Sequence, residues 1–290
     1  RPPRSELFPY TTLFRSASVY LQNNLLRKDV MKFCVRCFAI FLMIMTYESL
    51  SAQSDLGAMD YHLVKCEMAA ARPFLSHSWV AGVCGNDYLL KELMRARLGA
   101  VIRFDRHAFI LQMSHDGYSR YGELTTTVGY AVKFAGKVAL GMRYYYLYQH
   151  VDNYEAQHSV TFDVSLYAQL SRKLCFGFEV YNPARLRYSI RGPDIIPMRF
   201  TVLVHYLYSE KLSFSVQVLK YLPGRFDVSA ACYYQPLHCF YLSFACSLYD
   251  TNFGVMIRCR RFYFMVDARY NYHLGFSPEV GVGMQLKVKN

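Results

Sequence analysis

Apolar and polar residues alternate along most of the chain after residue 76. In the segment 160–170 every even-numbered position is apolar, and the positions between them hold Thr161, Asp163, Ser165, Tyr167 and Gln169. The segment 212–218 alternates in the same way, with serine or glutamine between its apolar residues. Alternation with period two is typical of a β-strand that has one apolar and one polar face. The pattern therefore predicts an all-β fold.

The alternating segments divide the chain into fourteen predicted strands. Their number is even, and their spacing suits strands of about 9–11 residues that cross a bilayer at a tilt. The predicted strands are 77–85, 94–103, 107–114, 122–133, 137–149, 157–170, 173–181, 197–208, 211–220, 225–234, 237–248, 252–259, 261–270 and 278–289.

The charged residues of these segments share the polar phase of the alternation. Both a soluble sandwich and a transmembrane barrel accept such a pattern, because the charges of a sandwich would face water and those of a membrane barrel would face its lumen. In a barrel the opposite, apolar phase faces lipid. The candidate lumen wall consists of Arg95, Arg97, Arg143, Asp163, Glu179, Arg199, Asp227, Asp267 and Arg269.

The connections between strands decide between the two architectures, because outer-membrane barrels have short periplasmic turns and longer outside loops. The short links are Phe104–Arg106, Phe134–Gly136, Ser171-Arg172, Ser209-Glu210, Gln235-Pro236 and a join at Arg260. The longer links are Asn86–Glu92, Gly117–Tyr121, Val151–Glu155, Asn182–Ile196, Asp250-Thr251 and Asn271–Ser277. The alternation of lengths predicts a transmembrane antiparallel up-and-down β-barrel of about 14 strands, over residues 77–290.

The chain before residue 77 has three predicted parts. Residues 7–16 resemble the in-frame translation of a common DNA-sequencing adapter, so residues 1–30 are set aside and Met31 is the predicted start. Residues 31–52 combine basic residues, a short apolar stretch and a small-residue exit, which is typical of a cleaved secretory signal. Residues 53–76 then form a periplasmic or lumenal segment before the barrel. Together these features predict export to the outer membrane.

Composition excludes several other classes of protein. Of 290 residues 53% are hydrophobic and 17% aromatic, which is too apolar for a disordered chain. The formal net charge is +12, but the basic residues are not gathered into runs of the kind that mark a nucleic-acid binder. The seven cysteines that follow the predicted signal are odd in number and show no CxxC spacing, so they predict neither a zinc site nor a disulfide framework. No cofactor is predicted.

Motifs for catalysis are missing from the sequence. It contains no GxSxG, HExxH or glycine-rich phosphate loop, so no catalytic residues are assigned and the chain is not predicted to be an enzyme. His150 and His158 flank one predicted loop and could meet as metal ligands, although solvated loop histidines are the commoner case. The lumenal carboxylates and arginines are best explained as an ion-paired wall, in which the arginines could also favour anions.

The segment 174–183, the long loop after it and the segment Ile196-Pro-Met-Arg-Phe200 resemble one branch of known barrels, as does 272–278 before the last strand. The chain is similar to Bacteroidota outer-membrane barrels of the FadL-like and PorV/PorQ-like branch, which includes fatty-acid transporters and type IX secretion proteins. FadL-type proteins carry a longer N-terminal plug than 53–76 provides. The resemblance implies a porin-like transport barrel. The segment Gly283-Met-Gln-Leu286-Lys-Val288 resembles the C-terminal signal that the barrel assembly machinery recognises, so this machinery is the expected partner for insertion.

Three functions remain open at this stage. The leading hypothesis is passage or capture of small solutes, hydrophobic ones included. The second is a barrel that transports nothing and serves as a partner of secretion components or of surface attachment, and the third is a lipid-modifying barrel enzyme. Outer-membrane lipid surrounds the barrel in each case. The longest outside loop supplies the candidate contacts for a ligand or partner, which are Asn182, Arg185, Arg187, Arg191 and Asp194.

Overall fold

A computed structural model describes residues 78–90, 93–118, 120–134, 137–187, 196–224 and 226–286. These residues form fourteen β-strands and a short 3₁₀ helix, Asp87–Leu89, after the first strand. The strands are Trp79–Asn86 (β1), Met94–Phe104 (β2), His107–Tyr118 (β3), Tyr121–Phe134 (β4), Val138–Val151 (β5), Gln157–Gln169 (β6), Leu174–Tyr181 (β7), Met198–Ser209 (β8), Leu212–Leu222 (β9), Phe226–Leu237 (β10), Phe240–Ser247 (β11), Asp250–Cys259 (β12), Phe262–Asn271 (β13) and Gly275–Gln285 (β14). No helix among the described residues is long and apolar enough to span a bilayer.

The sheet closes on itself. Each strand pairs antiparallel with its neighbours in sequence, and β1 pairs with β14, where Trp79 lies opposite Gln285 and Gly85 opposite Glu279. Closure leaves no strand edge with unpaired backbone groups. The predicted all-β, fourteen-stranded antiparallel barrel is confirmed, and β1 begins at the same end of the barrel at which β14 finishes.

The connections define two ends of the barrel. The links 105–106, 135–137, 170–173, 210–211, 238–239 and 260–261 lie at one end, here called the turn end. The links 87–93, 119–120, 152–156, 182–197, 223–225, 248–249 and 272–274 lie at the other, here called the loop end. The loop end therefore has the longest links, but 119–120 and 248–249 are as short as those of the turn end.

Two predicted links lie within strands instead, and a third, Gly117–Tyr121, shortens to 119–120. Tyr118 pairs with Tyr121 because the β3–β4 ladder continues to its tip, and the β11–β12 ladder likewise pairs Cys246 with Thr251. Gln235 and Pro236 belong to β10, where the register shifts between Tyr234 and Leu237. Proline cannot donate to a ladder hydrogen bond, so the sheet accepts it at this irregularity.

Exposure alternates along most of the strands, with apolar side chains outside. On β13, Phe264 and Val266 are 48% and 60% exposed, whereas Met265 and Asp267 between them are each 1% exposed. The same holds on β6, where Val160 is exposed and Asp163 is buried. A soluble barrel would have the opposite arrangement, because each exposed apolar side chain loses about 1.5–3 kcal/mol of burial energy in water. The exterior is therefore suited to a hydrocarbon environment.

Candidate functional site in the barrel lumen

The structure places the predicted wall residues on the inner face of the barrel. Each lies in the phase opposite to the exposed apolar residues of its strand, and Arg143, Asp163, Glu179 and Asp267 are buried. The strands that carry them separate eight of the nine into two groups, and Asp227 lies on β10. One group lies on β5–β8 and the other beside the closing seam of β13, β14, β1 and β2.

The first group, here called the wall network, joins four strands through two arginines and two carboxylates. Arg143 on β5 donates from Nε to Asp163 Oδ2 on β6 at 2.8 Å and contacts Glu179 Oε2 on β7 at 3.1 Å. Arg199 on β8 donates to Glu179 Oε1 at 2.9 Å. Arg143 and Asp163 are direct neighbours in the β5–β6 register, so the ladder itself brings them together. The charges of the wall network balance.

Two tyrosines of the same face complete this network. The Tyr145 hydroxyl donates to Asp163, and the Arg143 guanidinium lies 5.4 Å from the centre of the Tyr145 ring. Arg199 lies 5.2 Å from the centre of the Tyr181 ring, and the two tyrosine rings meet edge to face. Such cation–π contacts strengthen when they are shielded from water. Sequence reasoning missed both tyrosines, although each is in phase with the charged residue two positions before it.

A glycine makes room for the central arginine of the wall network. Gly129 on β4 lies opposite Arg143 in the ladder. A Cβ at this position would approach Arg143 Cγ to 2.7 Å and Ile110 Cβ to 3.2 Å, which is closer than ordinary contact. The small residue therefore lets the Arg143 side chain lie flat along the inner wall.

The second group, here called the rim network, lies at the loop end of the seam. Arg95 on β2 contacts Asp87 at 2.6 Å, Asp116 at 2.7 Å and Glu279 at 3.4 Å. Arg269 on β13 binds the other oxygen of Asp87 at 2.7 Å. The carboxylates of this network were not predicted. Asp87 lies in a connection and has no strand phase, whereas Asp116 and Glu279 do lie in the polar phase of their strands.

The connection that carries Asp87 is held against the seam. The Tyr88 backbone N–H donates to Ser277 Oγ on β14 at 2.9 Å, and partial burial raises the pKa of the Tyr88 phenol. Gly85 precedes this connection, and a Cβ there would lie 2.4 Å from the Pro278 carbonyl oxygen. Close backbone approach at Gly85 thus brings the connection, with Asp87, over the two arginines.

Three predicted wall residues remain, which are Arg97, Asp227 and Asp267. Asp267 on β13 is buried opposite Glu279 in the β13–β14 ladder. Arg97 lies on β2 opposite Ser114. Asp227, at the loop end of β10, accepts a hydrogen bond from the Leu248 backbone N–H at 3.3 Å and so supports the β11–β12 turn.

Pairing changes the expected electrostatics of the lumen. Arg95, Arg143 and Arg199 each contact at least one carboxylate, so their charges are balanced on the wall. A balanced wall attracts passing anions far less than free arginines would. Buried ion pairs of this kind contribute little net stability, but removing one partner is costly because the other remains charged and buried.

Part of the lumen wall nearer the turn end is apolar. Its buried residues come from β1–β3 and β10–β13, and sequence reasoning did not assign them to the lumen. The lumen apolar cluster consists of Trp79, Ala81, Val83, Val101, Ile110, Tyr233, Tyr241, Met256, Tyr263 and Met265.

Glycines on β14 help this cluster to form. Gly281 lies between Val83 on β1 and Met265 on β13 in the sheet register, and Gly283 lies next to Tyr263. Both glycines are buried on the inner face. Because they have no side chains, the apolar groups of β1 and β13 have space on the inner side of β14.

The side-chain amide of Asn182 helps to fix the base of the longest loop. Asn182, fully buried and with a φ of 51°, donates from its side chain to the carbonyl oxygens of Leu186 at 3.2 Å and Ile196 at 2.7 Å. The side-chain oxygen Oδ1 of Asn182 accepts a hydrogen bond from the Leu186 N–H at 2.8 Å. Asn182 thus ties the beginning of the loop to its end. Arg185 and Arg187 lie in the described base, whereas Arg191 and Asp194 lie outside the described residues.

Tyrosine side chains contact His158, one of the two candidate histidines. The His158 Nδ1 atom and the Tyr146 hydroxyl form a hydrogen bond at 2.6 Å, and the His158 ring contacts the Tyr148 ring. Within the part of the chain that the structure describes, no group of three or more His, Cys, Asp or Glu side chains could hold a metal ion. Tyr146 and His158 belong instead to the outer face near the loop end.

Comparison with known proteins identifies related folds. No family model matches the sequence, and no curated protein matches it. Among solved structures, the CymD monoaromatic hydrocarbon channel aligns with a TM-score of 0.56 at 9% identity, over 83% of this chain and 96% of that one. The toluene transporter TodX of P. putida aligns with a TM-score of 0.55 at 7% identity, over 73% of this chain and 90% of that one. At these identities the likeness concerns the fold.

Proposed function

We propose that this chain is an outer-membrane β-barrel through which small solutes, hydrophobic ones included, pass or in which they are captured. One observation carries the proposal: the exterior of a closed barrel is mostly apolar while most charged residues of its strands are inside, as on β13 where Phe264 and Asp267 face opposite ways. Such a surface is stable in a bilayer and not in water. The proposal assigns no catalysis to the chain.

The lining of the lumen favours hydrophobic solutes over ions. Four of its arginines contact carboxylates, and the lumen apolar cluster offers groups such as Met256 and Met265 to an apolar molecule. An ion would lose its hydration on such a surface without gaining a polar partner. The structural neighbours CymD and TodX, whose names describe channels for aromatic hydrocarbons, agree with this choice.

The same proposal includes a cellular location and a family. A barrel of this type would reach the outer membrane through cleavage of the signal peptide 31–52 and insertion by the barrel assembly machinery. We further propose that it belongs to the FadL-like and PorV/PorQ-like branch of Bacteroidota barrels. The pattern of segment 174–183, the long loop and the strand that starts after Pro197 supports this assignment.

Solute uptake by vesicles tests the function. Phosphatidylcholine vesicles that contain lipopolysaccharide, with and without the barrel, are mixed with toluene or with chloride, and entry is timed by stopped flow. We expect the barrel to accelerate toluene entry severalfold and chloride entry much less. The variant M265Q, which makes the inner wall more polar, should reduce toluene entry, whereas F264L on the outer face of the same strand should not.

Two results would contradict solute passage. Toluene entry equal to that of protein-free vesicles would contradict solute passage. Co-purification of secretion components with the inactive barrel would then support the partner role. Equal effects of M265Q and F264L would show that the inner wall does not control entry.

A further inference from the structure

Basic residues concentrate at the turn end of the barrel, although they are scattered along the sequence. Their set, here called the basic ring, consists of Arg106, Lys137, Arg172, Lys173, Lys211, Arg260 and Arg261. Only Asp105 and Glu210 add negative charge to the described turn-end links. At the loop end, the described links instead balance acids with bases. These are Asp87, Asp152 and Glu155 against Arg120, Arg185 and Arg187.

The basic ring is accessible to a partner. Its side chains are exposed, except for Lys211, which is half-buried. Within the described ranges, no carboxylate forms an ion pair with any of them, in contrast to the arginines of the lumen. Like charges gathered around one mouth of the barrel raise the local positive potential. The ring therefore attracts an anionic surface.

Exposed apolar side chains border the ring on its outer side. Phe104 ends β2 just before Arg106, Phe134 ends β4 just before Lys137, and Phe262 begins β13 directly after Arg261. These phenylalanines are each about half exposed, at 48–49%. The positive charges thus lie at the boundary of the apolar exterior, where aromatic residues mark the interface between hydrocarbon and headgroups.

We propose that the basic ring binds the headgroups of anionic phospholipids in the leaflet that meets the turn end. The inference rests on the proposed membrane location of the barrel. Each lysine or arginine near an anionic lipid surface adds binding energy, and the bordering aromatic rings sit among the same headgroups. A soluble acidic protein would match the charge of the ring, but it would leave the adjoining phenylalanines without a function.

Lipid binding in detergent tests the proposal without any measurement of transport. The full chain is purified in micelles and titrated with dioctanoyl-phosphatidylglycerol or dioctanoyl-phosphatidylcholine, and bound lipids are counted by native mass spectrometry. We expect preferential binding of phosphatidylglycerol that weakens as salt screens the charges. Reversing two charges, in R172E/K173E or in R106E/R261E, should weaken this binding about tenfold or more and leave phosphatidylcholine unaffected.

The matched control reverses two exposed charges at the loop end, in R120E/K220E, and should retain phosphatidylglycerol binding. Gel mobility of unheated samples verifies that every variant is folded. Equal binding of the two lipids, or an equal loss in R120E/K220E, would overturn the proposal. Binding of a soluble glutamate-rich peptide in place of phosphatidylglycerol would also overturn it, in favour of an acidic protein partner. Preferential phosphatidylglycerol binding without accelerated toluene entry would support the lipid-binding role of the basic ring and contradict solute passage.

Discussion

Removal of Arg143 is the perturbation with the largest expected effect on stability. Asp163 has no exposed surface, and Arg143 is the guanidinium that binds it. In the variant R143M the Asp163 carboxylate stays buried next to the Tyr145 hydroxyl without its cation, whereas Glu179 keeps Arg199. Breaking a buried pair by removing one partner costs about 3–5 kcal/mol. We expect a loss in the free energy of unfolding of that size.

A double-mutant cycle separates this cost from the value of the pair. The variant R143M/D163N removes the stranded charge as well, so it should cost only about 1–2 kcal/mol, less than R143M alone. R199M is the control, because the Arg199 side chain is 32% exposed and Glu179 retains Arg143. Its loss should be about 1 kcal/mol.

Unfolding by urea in lipid vesicles measures these differences. Trp79, the single tryptophan of the chain, lies in the lumen apolar cluster and reports the loss of the barrel, and gel mobility gives the folded fraction independently. The reasoning would be refuted if R199M cost as much as R143M. It would also fail if R143M/D163N lowered the free energy of unfolding by the sum of the losses measured for R143M and D163N alone.

Two further substitutions test local features of the inner wall and the loop base. G129A should lower the free energy of unfolding by about 1–3 kcal/mol in the same urea titration, because the new Cβ meets the Arg143 side chain. G177A is the matched control and should be tolerated, because its Cβ would meet neighbours only at 3.5 Å or more. N182G keeps the positive φ but removes the side-chain amide that binds the carbonyl oxygens of Leu186 and Ile196. Limited trypsin digestion should therefore cleave after Arg185 faster than in the native barrel. Unchanged cleavage would show that the amide does not hold the loop base.

The barrel itself was predictable because a strict alternation over segments such as 160–170 leaves only one inner and one outer face. The phase of each charge followed at once, since Arg143 and Asp163 both fall among polar positions. Their partnership did not follow, because parity tells which face a residue occupies but not which residue lies opposite. That register is set in the folded β5–β6 ladder.

Other features escaped prediction for different physical reasons. Asp87 joins the rim network from a connection, where no strand phase applies. Met256, Tyr263 and Met265 are apolar residues in the polar phase. Their position is explained by a lumen narrow enough for side chains to fill it, and the sequence does not give that width. Pro236 suggested a turn, but an irregularity in the β10–β11 register accommodates it within the strand.

The central claim is that the apolar face meets lipid and the opposite face encloses the lumen. Its most direct test is tryptophan quenching by brominated phosphatidylcholine in reconstituted vesicles. Native Trp79, which is 4% exposed on the inner side, should be barely quenched, whereas the tryptophan of W79F/F264W should be quenched strongly. Strong quenching of Trp79 together with a water-accessible, unquenched tryptophan at position 264 would contradict the account.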